Sequence, residues 1–135
     1  MKPLTFYVAS RFDNKSEVNV IQATLQAAGY ILTYDWTLHE GTDDKNKREY
    51  GIADTAGVRQ ADFLVVCWPG RTGTKIEIGI ALGQKIPVFI LGCPEGPTKM
   101  EDNGHGVSVF WHHPLIHYCE HTYDLHRKIE AYQNL

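Results

Sequence analysis

The chain has 135 residues, of which 43% are hydrophobic and 21% are charged, and its formal net charge is −3. This balance is typical of one folded domain and excludes a largely disordered chain. The slight negative charge disfavours binding to a nucleic-acid polymer or an anionic membrane, and no apolar run reaches the roughly 18 residues that a membrane-spanning helix needs.

The first half of the chain predicts two strands and two helices. Residues 4–10 form an apolar, β-prone run that is typical of a buried strand. Apolar residues then recur at helical spacing up to Gly29, a good C-terminal stop, which predicts a helix. Residues 30–34 predict a second strand, and after a long polar connection residues 50–61 predict a second helix.

The second half continues this alternation. Residues 62–68 and 86–92 predict two further buried strands. Between them, residues 74–84 are ambiguous because their isoleucines alternate as in a strand; two parallel neighbours need a crossover, which favours a helix. Residues 107–111 predict a fifth strand. A last helix is predicted from three apolar residues at helical spacing, Leu125, Ile129 and Tyr132.

This order predicts an α/β fold, a three-layer flavodoxin-like or Rossmann-like domain spanning residues 1–135. Its five-stranded parallel sheet has the expected strand order 2-1-3-4-5. Ligands of such sheets bind beyond the carboxyl ends of the strands, where strands 1 and 3 diverge. Ser10, Arg11 and residues 68–73 are therefore expected to line one crevice.

Glu77 is a carboxylate inside an otherwise apolar segment, and two interpretations are open. Thr74-Lys75-Ile76-Glu77 matches the capping box that begins many helices, in which the glutamate reaches back to a free amide. However, this helix starts at the mouth of the predicted crevice. An ionised carboxylate there has the chemistry needed to attack an anomeric carbon.

Neither a metal nor an organic cofactor is predicted. His113, His117 and His121 recur at intervals of four, but Pro114 interrupts any helix there, and no paired Cys/His spacing occurs. Phosphate-loop and dinucleotide fingerprints are also absent from the sequence, since the first strand ends in ASRFDNK.

The cysteines and the first residues predict a cytoplasmic protein. Cys67, Cys93 and Cys119 are odd in number and far apart, which indicates reduced thiols rather than a disulfide framework. The chain starts on a strand-like run without an apolar leader, so no secretory signal is expected.

Three stretches together resemble the nucleoside 2-deoxyribosyltransferase family, whose superfamily includes the 2'-deoxynucleoside 5'-phosphate N-hydrolases. They are FYVASRF in the first strand, ADFLVV in the third, and GTKIEIGIALGQKIPVFIL after it. The resemblance covers roughly residues 4–92, and the Glu-x-Gly-x-Ala block is its most specific part.

The resemblance implies catalytic roles for three residues. Glu77 matches the glutamate that attacks C1' of the deoxyribose, Tyr7 the tyrosine that orients it, and Asp54 the aspartate that assists the leaving base. Without the resemblance, Tyr7 could equally belong to the core and Asp54 to a solvated helix face.

Further candidates concern substrate binding. The resemblance places Ser10 and Arg11 where the hydrolases bind a 5'-phosphate, and the backbone of Gly73 and Thr74 near the sugar or phosphate. Three more candidates have structural alternatives. Asp62 matches the family's "AD" aspartate with an expected structural role, and Trp36 and Trp68 could stack on a base or pack at the rim.

The expected reaction is cleavage of the N-glycosidic bond of a 2'-deoxynucleoside with transfer of the sugar to another base. Hydrolysis of a 2'-deoxynucleoside 5'-monophosphate is the alternative, and a non-catalytic nucleotide-binding module is a third. A TIR-like NAD glycohydrolase would also use a glutamate, but TGTKIE lacks its expected motif. The resemblance further implies a small-molecule nucleoside or nucleotide as ligand and a homo-oligomer.

Overall fold

A computed structural model describes residues 2–40, 43–100 and 107–134 of the chain. Five strands lie side by side in it: β1 (Thr5–Ala9), β2 (Ile31–Leu32), β3 (Phe63–Cys67), β4 (Val88–Leu91) and β5 (Ile116–Cys119). They form one parallel sheet in the order β2-β1-β3-β4-β5, so the predicted fold class and strand order are confirmed.

Four helices flank this sheet: α1 (Lys15–Ala27), α2 (Asp44–Arg59), α3 (Thr72–Gly83) and α4 (Thr122–Gln133). α1 packs on β1 and β2, and α4 packs on β4 and β5. α2 and α3 pack against each other and against the central strands β1, β3 and β4. No helix within the described ranges is long and apolar enough to cross a membrane.

The predicted fifth strand at residues 107–111 is wrong. Val109–His112 instead forms a 3-10 turn, and β5 follows Pro114. Trp111 is buried against the ring of Trp68, with ring centroids 5.2 Å apart. The run at residues 107–111 is apolar, and for this reason its sequence predicts a strand. However, it does not join the sheet, and Val109 remains 78% exposed. The search for apolar runs did not predict β5, because two of its four residues are a histidine and a tyrosine.

α2 begins at Asp44, earlier than the predicted start at residue 50. Its first turns are polar and carry an i,i+3 pair in which Lys47 donates to Asp44 at 2.8 Å. Apolar periodicity cannot find such turns because no side chain there is buried against the sheet. The polar connection between β2 and α2 is therefore shorter than predicted.

Gly57 sets the distance between α2 and β1. A Cβ atom at this position would lie 2.8 Å from Cβ of Tyr34 and 3.0 Å from the ring of Tyr7. Any side chain there would push the helix away from the strand. Because Asp54 lies one turn earlier on α2, this close contact also fixes how near Asp54 approaches Tyr7.

Replacing Gly57 with alanine is expected to destabilise the protein, whereas the same change at Gly51 is not. A Cβ at Gly51, also in α2, would meet no atom within 4 Å. Alanine at an open helical site is favoured over glycine by about 0.5–1 kcal/mol. At Gly57 the clash instead lowers the free energy of unfolding, by about 1–3 kcal/mol. Urea denaturation measures both changes, and equal midpoints would contradict the close-contact argument.

Candidate active site

A cavity of about 450 Å³ opens beside the carboxyl ends of β1 and β3. Its walls come from β1 and the turn after it, from α2, from the first turns of α3 and from the segment around Trp36. This is the place that the strand order predicts for a ligand.

Tyr7, Asp54 and Glu77 meet in this cavity, although they come from β1, α2 and α3. Each has one buried side-chain oxygen without a hydrogen-bond partner among the described residues: Oη, Oδ1 and Oε2 respectively. Buried polar atoms are usually paired because burying them unpaired costs free energy. A bound ligand could supply the partners that these three oxygens lack.

The two carboxyl groups hold their protons unusually tightly. Burial raises the pKa of Glu77 to about 8; the charge of Asp54 adds to this shift, and the Tyr7 phenol opposes it. Burial also raises the pKa of Asp54 to about 6, again opposed by Tyr7. Burial, followed by the charge of Glu77, raises the pKa of the Tyr7 phenol, which stays neutral. Near neutral pH the two carboxyl groups therefore share one proton.

Glu77 does not cap its helix, so the capping-box interpretation is wrong. α3 begins at Thr72, which places Glu77 in the second turn rather than at the third position. Thr74 takes the third position, and its hydroxyl accepts a hydrogen bond from the backbone N–H of Arg71 at 3.3 Å. The carboxylate of Glu77 is therefore left for the cavity.

The mouth of the cavity carries two arginines, Arg11 and Arg71, of which sequence analysis assigned a binding role only to Arg11. Arg11 Nε lies 2.9 Å from Asp13, and Arg71 Nη2 lies 3.5 Å from the other oxygen of the same carboxylate. Arg11 also donates to the carbonyl of Pro69 at 3.2 Å. Both arginines line the cavity, so two cations face its opening. Sequence analysis expected residues 68–73 at this crevice but gave Arg71 no role of its own, because it lies in a glycine-rich turn without a motif.

Ser10, Gly73 and Thr74 also line the cavity. The Ser10 hydroxyl donates to the carbonyl of Cys67 at 2.9 Å and accepts from the Asn14 amide at 3.0 Å, so it joins the ends of β1 and β3. Thr74 is buried, and Gly73 at the exposed start of α3 keeps the backbone open to the cavity.

The structure does not bring Asp62 or Trp68 to the cavity walls. Asp62 precedes β3 and so lies at the amino end of the sheet, where its carboxylate accepts from the Thr5 backbone N–H at 2.8 Å. This contact supports the structural role that was expected for it. Trp68 follows β3 but packs against Trp111.

Trp36 forms part of the cavity wall in a fixed orientation. It is buried, and its indole N–H donates to the Val8 carbonyl at 2.6 Å. It therefore offers a rigid apolar surface rather than a free hydrogen-bond donor.

His39 is a cavity residue that sequence analysis missed. Its ring is buried, lies 3.8 Å from the ring of Tyr50 at an angle of 9°, and has Nε2 2.7 Å from the Tyr34 hydroxyl. Asp54 Oδ1 is 3.5 Å from the same nitrogen. His39 lies in an irregular segment, so no periodicity or motif marks it.

Within the described ranges, no group of three or more His, Cys, Asp or Glu side chains is arranged to hold a metal ion. The three cysteines are buried and free. The side chains that line the cavity carry carboxyl, phenol, imidazole, guanidinium and hydroxyl groups.

Comparison with known proteins identifies structures and families that this chain resembles. The chain resembles the solved structure of a CMP N-glycosidase of Clostridium botulinum, with a TM-score of 0.58 and 15% sequence identity over 93% of this chain and 98% of that one. At this identity the likeness concerns the fold. The chain matches no curated protein at a significant level.

A family model described as nucleoside 2-deoxyribosyltransferase matches residues 6–110. This match spans Tyr7, Asp54 and Glu77 and most of the chain. The resemblance stated from the sequence is therefore confirmed, and the chain belongs to the nucleoside 2-deoxyribosyltransferase family.

Proposed function

We propose that this protein cleaves the N-glycosidic bond of a 2'-deoxynucleoside or its 5'-monophosphate through a covalent bond between the sugar and Glu77. The observation that carries the proposal is the convergence of Tyr7, Asp54 and Glu77 in one cavity, each with an unpartnered buried oxygen. Buried polar atoms are usually paired, so three such oxygens at one cavity support a polar ligand there.

The reaction has two balanced steps. In the first, the Glu77 carboxylate bonds to C1' as the bond from C1' to the base breaks, and the Asp54 carboxyl group gives its proton to the departing base. In the second, an acceptor attacks C1', the bond to Glu77 breaks, and the Asp54 carboxylate takes the acceptor's proton. The Tyr7 phenol orients Glu77 and stabilises its charge.

The acceptor decides between the two candidate activities. A second free base would give deoxyribosyl transfer, the reaction for which the family is named. Water would give hydrolysis, and the neighbouring structure is named as an N-glycosidase of CMP, which adds ribonucleotides to the substrates worth testing.

A phosphorylated substrate is favoured by the charges at the mouth of the cavity. Arg11 and Arg71 both contact Asp13, whose carboxylate occupies the position of an anion between two guanidinium groups. A 5'-phosphate could replace this carboxylate with bidentate contacts. The start of α3 lies beside them and adds the positive end of its helix dipole.

Changing Glu77 to glutamine is expected to abolish base release, because an amide cannot form the glycosyl ester. Deoxynucleosides, their 5'-monophosphates and CMP are incubated with or without a second base, and products are followed by chromatography. The loss of kcat should be on the order of 10⁴-fold or more, with Glu130→Gln on α4 as control. Intact-mass spectrometry of quenched wild-type protein should show one added sugar.

The outcomes of this assay separate the candidates. Release that needs a second base indicates a transferase, and release without one indicates a hydrolase. Tight nucleotide binding without release would contradict the proposed function and favour the non-catalytic binding module.

Arg71→Ala and Arg11→Ala are expected to act selectively on phosphorylated substrates. Loss of one charge-assisted contact of about 1.5–3 kcal/mol should lower kcat/KM for a monophosphate about 10- to 100-fold, with little change for the nucleoside. Arg59→Ala, at an exposed position of α2, is the control. Equal effects on both substrates would show that the arginines do not bind phosphate.

The pH dependence of kcat/KM is expected to be bell-shaped, with limbs near the pKa values of about 6 for Asp54 and about 8 for Glu77. Below the lower limb both carboxyl groups are protonated, so Glu77 cannot attack. Above the upper limb neither is protonated, so the base receives no proton.

A 7-methylated purine nucleotide provides the matched control. Its base leaves as a neutral molecule and needs no proton, so its rate should rise with pH to a plateau above the pKa of Glu77. Bell-shaped profiles for both substrates would contradict the assignment of Asp54 as the acid.

Homo-oligomer formation, cytoplasmic location and a single domain over the whole chain remain predictions from the sequence.

A further inference from the structure

His39 is held on several sides in the cavity wall. Its side chain is 8% exposed, its ring is stacked on Tyr50, and Nε2 lies 2.7 Å from the Tyr34 hydroxyl. The backbone carbonyl of His39 accepts from Lys15 Nζ at 3.5 Å. The imidazole therefore has little freedom to rotate.

The same nitrogen faces the proposed acid. Nε2 lies 3.5 Å from Asp54 Oδ1, the buried oxygen that has no hydrogen-bond partner in the described part of the chain. Tyr50 and Asp54 are four residues apart on α2, so one face of the helix presents both the stacking ring and the carboxyl group to His39. This arrangement places the imidazole next to the Asp54 carboxyl group in the cavity wall.

We propose that His39 is a positioning residue that holds the Asp54 carboxyl group in place and stabilises its ionised form between the two steps of the reaction. The inference rests on the proposed function, in which Asp54 gives a proton to the departing base. With the ring in its Nε2–H tautomer, the Tyr34 hydroxyl oxygen accepts this N–H at 2.7 Å, and Asp54 Oδ1 lies 3.5 Å away on the same nitrogen. As the O–H bond of Asp54 breaks and the N–H bond of the base forms, the new carboxylate becomes a second acceptor of the shared Nε2–H. The acceptor's proton later restores Asp54.

The surroundings of the pair suit this exchange. Burial raises the pKa of Asp54. Burial lowers the pKa of His39; the charge of Lys15 adds to this shift, and the charge of Asp35 opposes it. The two groups thereby approach each other in proton affinity. The other titratable side chains that face the imidazole are Tyr34 and Tyr50; burial raises the pKa of the Tyr34 phenol, so it stays a neutral partner.

The alternative is that His39 only packs the irregular segment onto α2 through Tyr50. That role needs an aromatic ring but no nitrogen. His39→Phe keeps a ring for the stack and removes both nitrogens, whereas His39→Gln keeps an N–H donor and loses the ring. Tyr34→Phe removes the hydroxyl that fixes Nε2.

The test compares two leaving groups in single-turnover experiments, where the rate of base release reports the first step alone. On an ordinary purine monophosphate, His39→Phe is expected to lower this rate about 10- to 100-fold, with partial rescue by His39→Gln and a smaller loss for Tyr34→Phe. On the 7-methylated analogue, whose base needs no proton, His39→Phe should change the rate of base release little. Asp54→Asn should show the same selectivity in this step, whereas Glu77→Gln should lose base release from both substrates.

Equal losses on the two substrates, or no loss on either, would overturn the proposal for His39 while leaving the proposed function intact. A second readout is independent of catalysis. NMR titration of the imidazole should give a shifted pKa for His39 in Asp54→Asn, and titration of the Asp54 carboxyl group a shifted pKa in His39→Phe. If the wild type cleaves nothing, the proposed function fails, and unchanged titrations would overturn the pairing of His39 with Asp54 as well.

Discussion

The burial of two carboxyl groups and a phenol in one cavity is the constraint on which the rest of this structure depends. Tyr7 lies on a central strand, and Asp54 and Glu77 reach it from two helices that pack against each other over that strand. Their approach requires Gly57, where any larger residue would separate α2 from β1. The fold thus holds three polar groups from separate elements at the wall of one cavity.

The protonation that burial favours in this cluster differs from the protonation that the proposed reaction requires. Burial gives Glu77 the higher pKa of the two carboxyl groups, so the shared proton resides mainly on Glu77 when the cavity is empty. The proposed reaction needs the opposite distribution. Positive charge that develops at C1' stabilises the ionised form of Glu77, so the transition state itself favours the productive arrangement.

Side chains inside the cavity are held rigidly, whereas the ion pairs at its mouth are exposed and weak. His39, Tyr34 and Tyr50 are fixed by stacking and a short hydrogen bond behind Asp54. By contrast, Arg11, Arg71 and Asp13 are partly exposed, and exposed ion pairs contribute about 0–1 kcal/mol each. The Asp13 carboxylate is therefore weakly held, as the proposed exchange for a ligand phosphate requires, whereas displacement of His39 would disrupt the packing of α2.

Local patterns were sufficient for most of the architecture. Apolar runs separated by helical periodicity established four of the five strands, the parallel sheet and its order, and the Glu-x-Gly-x-Ala block identified the family. These local patterns gave wrong predictions where the burial of a segment did not follow its hydrophobicity. Residues 107–111 are apolar yet form a turn, and the polar start of α2 is helical without a buried face.

The sequence by itself determined the order of the elements, because short local patterns carry it, and its resemblance to a family singled out the three central side chains. Only the tertiary structure decided that Asp62 lies at the far end of the sheet, that Arg71 joins Arg11, and that Glu77 does not cap α3. It also decided that His39 meets Asp54. These are contacts between residues far apart in the chain or exact positions within a helix, and both depend on how packed elements approach one another.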